Sequence, residues 1–483
     1  MFTHTIFGIV MLLAATEACP NKCYCSRYKT FCQVANLHSV PRGFPHSTEL
    51  LRIEKDEIVL LNETTFLDPG LINLKTLQLI NIRLSKVERS TFISLKSLES
   101  LTISLNDKLT ELESKIFCFL YNLHTLDLSN NALSTLKDGV FTDLNQLRHL
   151  NLSHNRIQYI HLKMFNGLRS EAVNHSMSPV SKFDLSVNYL LKIDANSFIG
   201  LSVFTHLQIE FEDITIPPDP FFGLNRLKSL RTQAGYYCCG MSVRRPHNLI
   251  VNITTMKGLS SLLHLNMSHS RIDHIVSRIL VNSTTLRSIN LSHNRISILE
   301  NGAFAGLTSL IELKLDFNAL PALHDNVFEG LSSLKTLHLE ENYINEIQSN
   351  VFRNLKNLKF LHIGGNYIHS LSGNVFSELM VLRKLTITSL LEIPEESLAP
   401  LRSLKSISIQ SETRRLIIKT LILPRLDNLE FYGVIQSMQG FQVMKTLTFN
   451  INAMYCAKGR FVYSEKLSAR CILLLIPSFK NVY

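Results

Sequence analysis

Residues 286–299 read LRSINLSHNRISIL and residues 147–160 read LRHLNLSHNRIQYI, so the seven residues NLSHNRI occur twice. Both stretches fit the pattern L-x-x-L-x-L-x-x-N-x-L-x-x-L, and such self-similarity determines the whole architecture. Further good copies start at Leu123, Leu310, Leu334 and Leu358, and the starts from Leu286 onward lie 24 residues apart. Together with the weaker copies, the pattern predicts about seventeen turns. The weaker copies start at Thr48, Leu74, Leu98, Val180, Phe204, Leu227, Leu262, Leu382, Leu404, Leu426 and Met444.

Each repeated residue type is expected to have its own structural task. The alternation in L-x-x-L-x-L is that of a short strand, and strands of successive turns are expected to pair in parallel about 4.8 Å apart. At the ninth position, asparagines are expected to satisfy buried backbone groups where the strand ends: Asn131, Asn155, Asn188, Asn294, Asn318, Asn342 and Asn366. At the nineteenth position, phenylalanines are expected to fill the wider outer side of each turn: Phe66, Phe92, Phe141, Phe165, Phe198, Phe222, Phe304, Phe328, Phe352 and Phe376.

This pattern is that of the leucine-rich repeat, and the resemblance covers roughly residues 48–455. It predicts an α/β fold, a solenoid curved into a horseshoe with a parallel sheet on its concave face. Two stretches break the period, at residues 169–179 (RSEAVNHSMSP) and residues 236–256. Insertions in a solenoid usually project as loops that often bind ligands, and a degenerate turn without function is an equal alternative.

The N-terminal residues indicate export. Residues 7–15 are apolar and small residues at positions 16 and 18 suit signal peptidase, so residues 1–18 are predicted to be a secretory signal. No later segment reaches the roughly 18 apolar residues of a membrane span. The chain is therefore predicted to be secreted, or to face the cell exterior or an endosomal lumen if it belongs to a longer receptor. Asn-x-Ser/Thr triplets predict glycosylation at Asn62, Asn151, Asn174, Asn252, Asn266, Asn282 and Asn290.

A cysteine cluster, Cys19, Cys23, Cys25 and Cys32, stands before the first repeat. Spacing alone permits three pairings. The cluster resembles the N-terminal flanking module of extracellular leucine-rich repeat proteins, which implies Cys19–Cys25 and Cys23–Cys32 in a cap at residues 19–47. A zinc site is the alternative, and the secreted setting and the lack of a histidine in the cluster argue against it.

The other cysteines are harder to pair. Cys456 and Cys471 are expected to close an atypical cap within residues 456–483. Cys118 is predicted to lie five turns, about 24 Å, from Cys238 and Cys239, beyond the roughly 7 Å that a disulfide tolerates. Since the chain has nine cysteines, at least one thiol is expected to be free or to pair between chains.

The residues indicate binding and not catalysis. There is no G-x-S-x-G, no H-E-x-x-H, no phosphate-binding glycine loop and no metal-spaced Cys/His set, so neither an enzyme nor a cofactor is expected. The net charge of +10 favours anionic partners such as glycans or nucleic acid.

The long, interrupted run of repeats resembles a Toll-like receptor ectodomain. That resemblance implies recognition of microbial or endogenous ligands and signalling through dimerisation. No membrane span or signalling domain follows, so a soluble relative and a receptor truncated after Tyr483 are both open. The alternative is an extracellular matrix, adhesion or guidance protein similar to small leucine-rich proteoglycans, because the fold does not determine the function.

Half of the 18 histidines fall at surface positions of the predicted strands. An imidazole gains its charge near pH 6.5, so acidification is expected to strengthen the binding of anionic polymers to this face. The residues predicted to bind the ligand are His338, His362, Lys314, Lys335 and Lys359. The alternative is that the histidines are only solvated polar residues.

Three of the predicted glycosylation sites, Asn151, Asn266 and Asn290, occupy the fifth position of their repeats and are expected to point outward. Glycans there would leave only a flank or an end of the solenoid for ligands. The alternative is that Asn-Leu-Ser is simply a favoured strand ending.

Overall fold

The computed structural model describes residues 19–168, 181–210, 220–232 and 258–410, except positions 279, 281 and 389–396, together with short strands between positions 417 and 449. The chain divides into two compact units. The first unit comprises Met1–Gln158 with Lys163–Tyr189, and the second comprises Tyr159–Leu162 with Leu190–Tyr483.

In the first unit, one strand per turn contributes to a parallel sheet. The sheet begins in the cap with an antiparallel pair, whose second strand pairs in parallel with the strand of the first repeat. The sheet strands are Cys23–Ser26, Lys29–Gln33, Leu50–Glu54, Thr76–Ile80, Ser100–Ser104, Thr125–Asp127, His149–Asn151 and Lys182–Leu185. On the outer side, Leu60–Leu61 pairs with Lys86–Val87, and Pro69–Leu71 forms a 3-10 helix.

The second unit repeats this arrangement. Its sheet strands are His206–Ile209, Ser229–Thr232, His264–Asn266, Ser288–Asn290, Glu312–Lys314, Thr336–His338, Phe360–Ile363, Lys384–Thr388, Ser406–Gln410, Asn428–Tyr432 and Thr446–Phe449. Two-residue strands pair in parallel between neighbouring turns outside the sheet. These pairs are Tyr159–Ile160 with Lys192–Ile193, His274–Ile275 with Ile298–Leu299, Ala322–Leu323 with Glu346–Ile347, Ile417–Ile418 with Val434–Ile435, and Leu421–Ile422 with Met438–Gln439.

Equivalent residues of neighbouring repeats lie side by side, because the strands pair without a shift in register. Ile289 pairs with Leu313, and Leu313 pairs with Leu337. About 14 turns form this parallel solenoid. The last three sheet strands, from Ser406–Gln410 onward, also pair in parallel, each with the strand before it. The predicted leucine-rich repeat fold is confirmed. It contains almost no helix, and in the described residues turns and two-residue strands form the outer side.

The leucines of each repeat face inward. Leu310, Leu313 and Leu315 are fully buried, whereas Glu312 and Lys314 between them remain partly exposed. Burying one such side chain contributes about 1.5–3 kcal/mol. A shift in register by one residue would turn the polar side chains inward, so the apolar core fixes the pairing.

The asparagine ladder is confirmed where the strands end. Asn342 Nδ2 donates to the carbonyls of Leu315 (2.9 Å) and Leu339 (3.1 Å), and its Oδ1 accepts from the Leu320 N–H (3.1 Å). One side chain therefore satisfies buried backbone groups of two neighbouring turns. The other predicted members make equivalent bonds: Asn131, Asn155, Asn188, Asn294, Asn318 and Asn366.

Asn106 and Asp56 extend the ladder beyond the predicted asparagines. Asn106 Oδ1 accepts two backbone N–H groups, at 3.0 and 3.2 Å. Asp56 Oδ1 accepts two more, at 2.9 and 3.1 Å. Both residues occupy the ninth position of weaker repeats, so the repeat frame itself marks them.

Stacked phenylalanines fill the outer side of the turns. The ring centroids of Phe304 and Phe328 lie 6.5 Å apart, and those of Phe328 and Phe352 lie 6.3 Å apart. Nearly all the predicted rings are buried in this way: Phe66, Phe92, Phe141, Phe165, Phe198, Phe304, Phe328, Phe352 and Phe376.

The prediction for Phe222 is wrong. Its side chain is 49% exposed, while its neighbour Phe221 is 1% exposed and stacks on Phe198 at 6.2 Å. Only one of two adjacent residues can point into the core. The repeat that starts at Phe204 has 23 residues instead of 24, so Phe221 lies six residues before the next start, as Phe304 does before Leu310. Phe117, which was not predicted, also joins the stack.

The cap contains both disulfides that the resemblance implied. The Cα atoms of Cys19 and Cys25 lie 5.6 Å apart, and those of Cys23 and Cys32 lie 4.3 Å apart. These four sulfur atoms therefore do not form a zinc site. Cys118 is free and partly buried, and burial raises the pKa of its thiol. The remaining cysteines, Cys238, Cys239, Cys456 and Cys471, lie outside the described residues. So do both interruptions, at residues 169–179 and 236–256.

Candidate ligand-binding surface

The fifth positions of successive repeats form a row across the sheet of the second unit. Lys314 lies beside His338, and His338 lies beside His362 in the register of neighbouring strands. Thr386 follows in the next strand. We call these four residues the central row, and it brings three of the predicted binding residues together.

The two histidines of the central row stack on each other. Their ring centroids lie 4.8 Å apart, and their planes differ by 4°. Glu340 Oε1 lies 3.2 Å from His338 Nδ1 and 3.7 Å from His362 Nδ1, so one carboxylate faces both rings. Burial lowers the pKa of His362, although the charge of Glu340 opposes that effect. This ring therefore takes up a proton at a more acidic pH than an ordinary histidine.

Two carboxylates beside the central row keep an unpaired oxygen. Asp316 Oδ1 and Glu340 Oε2 are buried atoms without a hydrogen-bond partner within the described part of the chain. Burial raises the pKa of Asp316, and the charge of Glu340 adds to the increase. Leaving such an acceptor unpaired costs about 1–3 kcal/mol, so a ligand that donates here would gain binding energy. Lys314 does not fill this role, because its Nζ lies 3.6 Å from Glu312 Oε1.

Lys335 and Lys359 do not belong to the central row. They occupy the second position of their repeats, where the chain enters the strand. Backbone hydrogen bonds of 2.8 Å join Lys359 N to Lys335 O, Arg383 N to Lys359 O, and Lys405 N to Arg383 O. We call Lys335, Lys359, Arg383 and Lys405 the basic row. Arg383 and Lys405 are not among the residues predicted from the sequence, although their repeat position is the same.

A second set of stacked rings lies where the strands end. The rings of His269 and His293 are 4.4 Å apart, and those of His293 and Phe317 are 4.3 Å apart. Burial lowers the pKa of His269. Exposed Tyr343 and Tyr367 also stack, at 6.1 Å. Thus His269 and His293 form a ladder of rings and are more than solvated polar groups.

The sequons at the fifth position form a specific turn. In Asn151, Asn266 and Asn290, Oδ1 accepts the backbone N–H of the serine two residues later, at 3.0 Å. Asp127 and Asp184 make the same turn at 2.9 Å. Because aspartate serves equally well, the geometry favours the interpretation of Asn-Leu-Ser as a strand ending, and glycosylation stays a prediction. Among the other predicted sites, the structure describes Asn62 and Asn282 but not Asn174 and Asn252.

The described ranges contain neither a metal-binding cluster nor a membrane-spanning helix. No three His, Cys, Asp or Glu side chains there are grouped so that they could hold a metal ion. No helix in the same ranges is long and apolar enough to cross a membrane.

A leucine core, an asparagine ladder and a disulfide-bonded N-terminal cap together define the leucine-rich repeat fold. The family described as "Leucine rich repeat" matches residues 72–133, 121–170, 284–344 and 332–391. Tsukushi of Gallus gallus is 26% identical over 324 residues, which cover 58% of this chain and 81% of that protein. Tsukushi of Xenopus tropicalis is 30% identical over 200 residues, so the match spans 38% of this chain and only about half, 55%, of the relative. Reticulon-4 receptor-like 2 of Homo sapiens is 36% identical over 132 residues, 26% of this chain and 30% of the relative.

Solved structures share the fold at lower sequence identity. The Toll chain of the Drosophila Toll–Spatzle complex gives a TM-score of 0.62 at 18% identity, covering 81% of this chain and 53% of the Toll chain. The Leptospira interrogans leucine-rich repeat protein LIC12759 gives 0.55 at 22% identity, covering 77% of this chain and 86% of that chain. At these identities, the likeness shows the fold alone.

Proposed function

We propose that this chain is a ligand-recognition ectodomain of the Toll-like, innate immune type. The central row carries the proposal. Two stacked histidines and two carboxylates, each with an unpaired buried oxygen, lie together on the outward side of the sheet. Buried polar atoms in native proteins nearly always have partners, often a bound water, so the two occluded oxygens support a small donor at this point. The partly exposed side chain of Glu340 beside the two rings supports a ligand that donates hydrogen bonds.

The chemistry of the ligand follows from the face around the central row. The unpaired carboxylate oxygens suit donor groups of a protein, and the similar Toll chain was solved in a complex with Spatzle. The lysines nearby suit an anionic polymer, either a glycan or nucleic acid. In the Toll-like type, the ligand would bring two copies of the chain together. Lys314, His338 and His362 would contact it on the sheet, and Lys335 and Lys359 at the flank.

The two disulfides of the cap support an oxidising compartment, since disulfides persist there. The proposal therefore includes a secreted or lumenal location and removal of residues 1–18. It also includes a cap at 19–47, repeats over 48–455 and a tail at 456–483 that Cys456–Cys471 closes. Binding without catalysis and without a cofactor completes it.

The alternative is a matrix, adhesion or guidance protein. An extended sheet face serves adhesion as well as ligand recognition, and the fold is common to both. The two functions differ in stoichiometry, because adhesion does not require that one ligand bring two copies together.

The test measures affinity and mass together. Spatzle, heparin and double-stranded RNA serve as probes. Each is measured against the unmodified chain, the double variant His338→Gln/His362→Gln, and the control His369→Gln at an exposed position. At least one probe should bind, with two chains per probe molecule, and the double variant should bind it at least about tenfold more weakly. Unchanged affinity in the double variant overturns the central row as the site. Binding without pairing of two chains overturns the Toll-like type in favour of adhesion.

A further inference from the structure

The basic row presents four cations on neighbouring strands. Its backbone hydrogen bonds place successive residues one strand apart, about 4.8 Å, so the row extends over roughly 14 Å. Arg287 continues it beyond Ile311 through the same backbone hydrogen bonds. Lys335, Arg383 and Lys405 are exposed, and Lys359 is partly exposed.

Within the described residues, no carboxylate forms an ion pair with any member of the basic row. Like charges on neighbouring strands repel each other, and proteins usually reduce that repulsion by cross-strand pairing. The first unit does so at the same repeat position, where Lys75 Nζ lies 3.1 Å from Glu49 Oε2. An unneutralised line of cations is therefore a specific property of the second unit.

We infer that the basic row binds a linear sulfated polysaccharide lying across the strands, with its sulfates on Lys335, Lys359, Arg383 and Lys405. The inference rests on the extracellular setting of the proposed function and specifies its anionic ligand. The neighbouring third-position residues Thr336 and Ser406 are small, so a polymer chain can approach the backbone there. Exposed Lys384 adds a further cation beside the row.

The surroundings of the row favour a polysaccharide over single-stranded nucleic acid. Proteins that bind single strands place aromatic rings beside the cations, so that the bases stack on them. Here the nearest stacked rings are the imidazoles of His338 and His362, three residues or roughly 10 Å further along the strands, and the stacked Tyr343 and Tyr367 lie beyond the strand ends. Phe360 is the single aromatic residue at the third position of the strands that carry the row. Sulfates need only cations, and the row supplies these.

The test measures heparin affinity at about pH 7.4, where an ordinary histidine is mostly neutral. The row variant is Lys335→Ala/Lys359→Ala/Arg383→Ala/Lys405→Ala. The control variant is Lys96→Ala/Lys108→Ala/Lys163→Ala/Lys356→Ala, which removes the same charge from exposed positions outside the row. The row variant should bind heparin about 100-fold more weakly, and its plot of log affinity against log salt should be shallower by about three. The control variant should change the affinity less than about threefold.

Three results would overturn the inference. The first is an equal loss in both variants, because bulk charge would then explain binding. The second is full binding of desulfated heparin to the unmodified chain. The third is a row variant that loses single-stranded RNA but retains heparin, which would assign the row to nucleic acid. Circular dichroism of both variants verifies folding. Failure of two chains to pair on a ligand would contradict the Toll-like proposal alone and leave this inference intact.

Discussion

The two units differ in the charges that they carry at the same position of the repeat: the first unit has both signs, and the second has only cations in its basic row. In the first unit, the second positions of successive repeats combine acidic and basic residues, and we call them the mixed row: Glu49, Lys75, Glu99, His124 and Arg148. The mixed row has the same backbone hydrogen bonds, of 2.8–2.9 Å, as the basic row of the second unit. The repeat therefore fixes where a residue lies, and the residue's charge is left free for function.

The largest expected effect tests whether the cores of the two units are truly equivalent. Asn155→Ala in the first unit and Asn342→Ala in the second should each lower the free energy of unfolding by about 3 kcal/mol, because several buried backbone groups lose their partner. Urea denaturation measures the change. Asn374→Ala, at an exposed position, should cost less than about 0.5 kcal/mol. A loss under about 1 kcal/mol in only one unit would contradict a shared core.

A smaller effect on stability compares how closely neighbouring turns pack at one glycine in each unit. Gly167 in the first unit has φ +104°, and a Cβ there would lie 2.7 Å from the backbone of Phe141. Gly330 in the second has φ +87°, with a nearest contact of 3.1 Å. Gly167→Ala should cost about 2 kcal/mol and Gly330→Ala about 1 kcal/mol, since both add strain at positive φ. Thermal unfolding measures both, with Gly373→Ala as control because its Cβ meets nothing within 4 Å. A larger cost for Gly330→Ala than for Gly167→Ala would contradict this expectation, because the turns beside Gly167 would then have moved apart to accommodate the added Cβ.

A gain of function would break the contrast between the two rows. The double variant Glu49→Lys/Glu99→Lys turns the first three positions of the mixed row into a continuous line of lysines on either side of Lys75. Heparin affinity should rise about three- to tenfold, because polyanion binding grows with each added cation. The matched control, Glu63→Lys/Glu88→Lys, adds the same charge outside the row. An equal rise in the control would show that net charge and not the row sets the affinity.

The smallest expected effect concerns pH. Burial lowers the pKa of His149 in the first unit and of His362 in the second. The unfolded chain then binds protons more readily, so stability is full above the ordinary histidine pKa and falls as the pH drops through it to the lowered value. His149→Gln and His362→Gln should each reduce the loss of melting temperature between about pH 7.4 and about pH 5.5, by roughly 1 °C. His369→Gln is the control, and a loss unchanged by either substitution contradicts the burial of these rings.

The same pKa shift qualifies the expected effect of acid on binding. Because His362 takes up its proton at a more acidic pH, strengthening of anionic ligands through this ring is expected only below the ordinary histidine range. Heparin affinity measured over a pH series with and without His362→Gln gives that onset directly.

The repeat frame predicts the positions that the core occupies. It places Asn342 at a strand end and Phe328 in the outer stack, because every turn must satisfy the same backbone groups and fill the same volume. It fails at Phe222, because the repeat that starts at Phe204 is one residue short and its neighbour Phe221 takes the buried position.

The surface is less predictable for a physical reason. The repeat frame puts Lys335 at the second and His338 at the fifth position, which assigns them to different rows, but it does not show which side chains each of them contacts. Glu340 was not predicted, because its role depends on facing two stacked rings of neighbouring strands. The pairing of His338 with His362 can be anticipated from their 24-residue separation, whereas the unpaired oxygen of Asp316 depends on packing around it.

The in-register pairing also has a consequence for inheritance. Four successive repeats start 24 residues apart and contact mainly their neighbours, so loss or duplication of one whole repeat rejoins strands of the same register. Such a change would leave the core intact and alter only the number of cations along the edge. Unequal recombination between the similar segments that encode the repeats starting at Leu310, Leu334 and Leu358 would thus change, in a single step, the length of the ligand that the chain can hold.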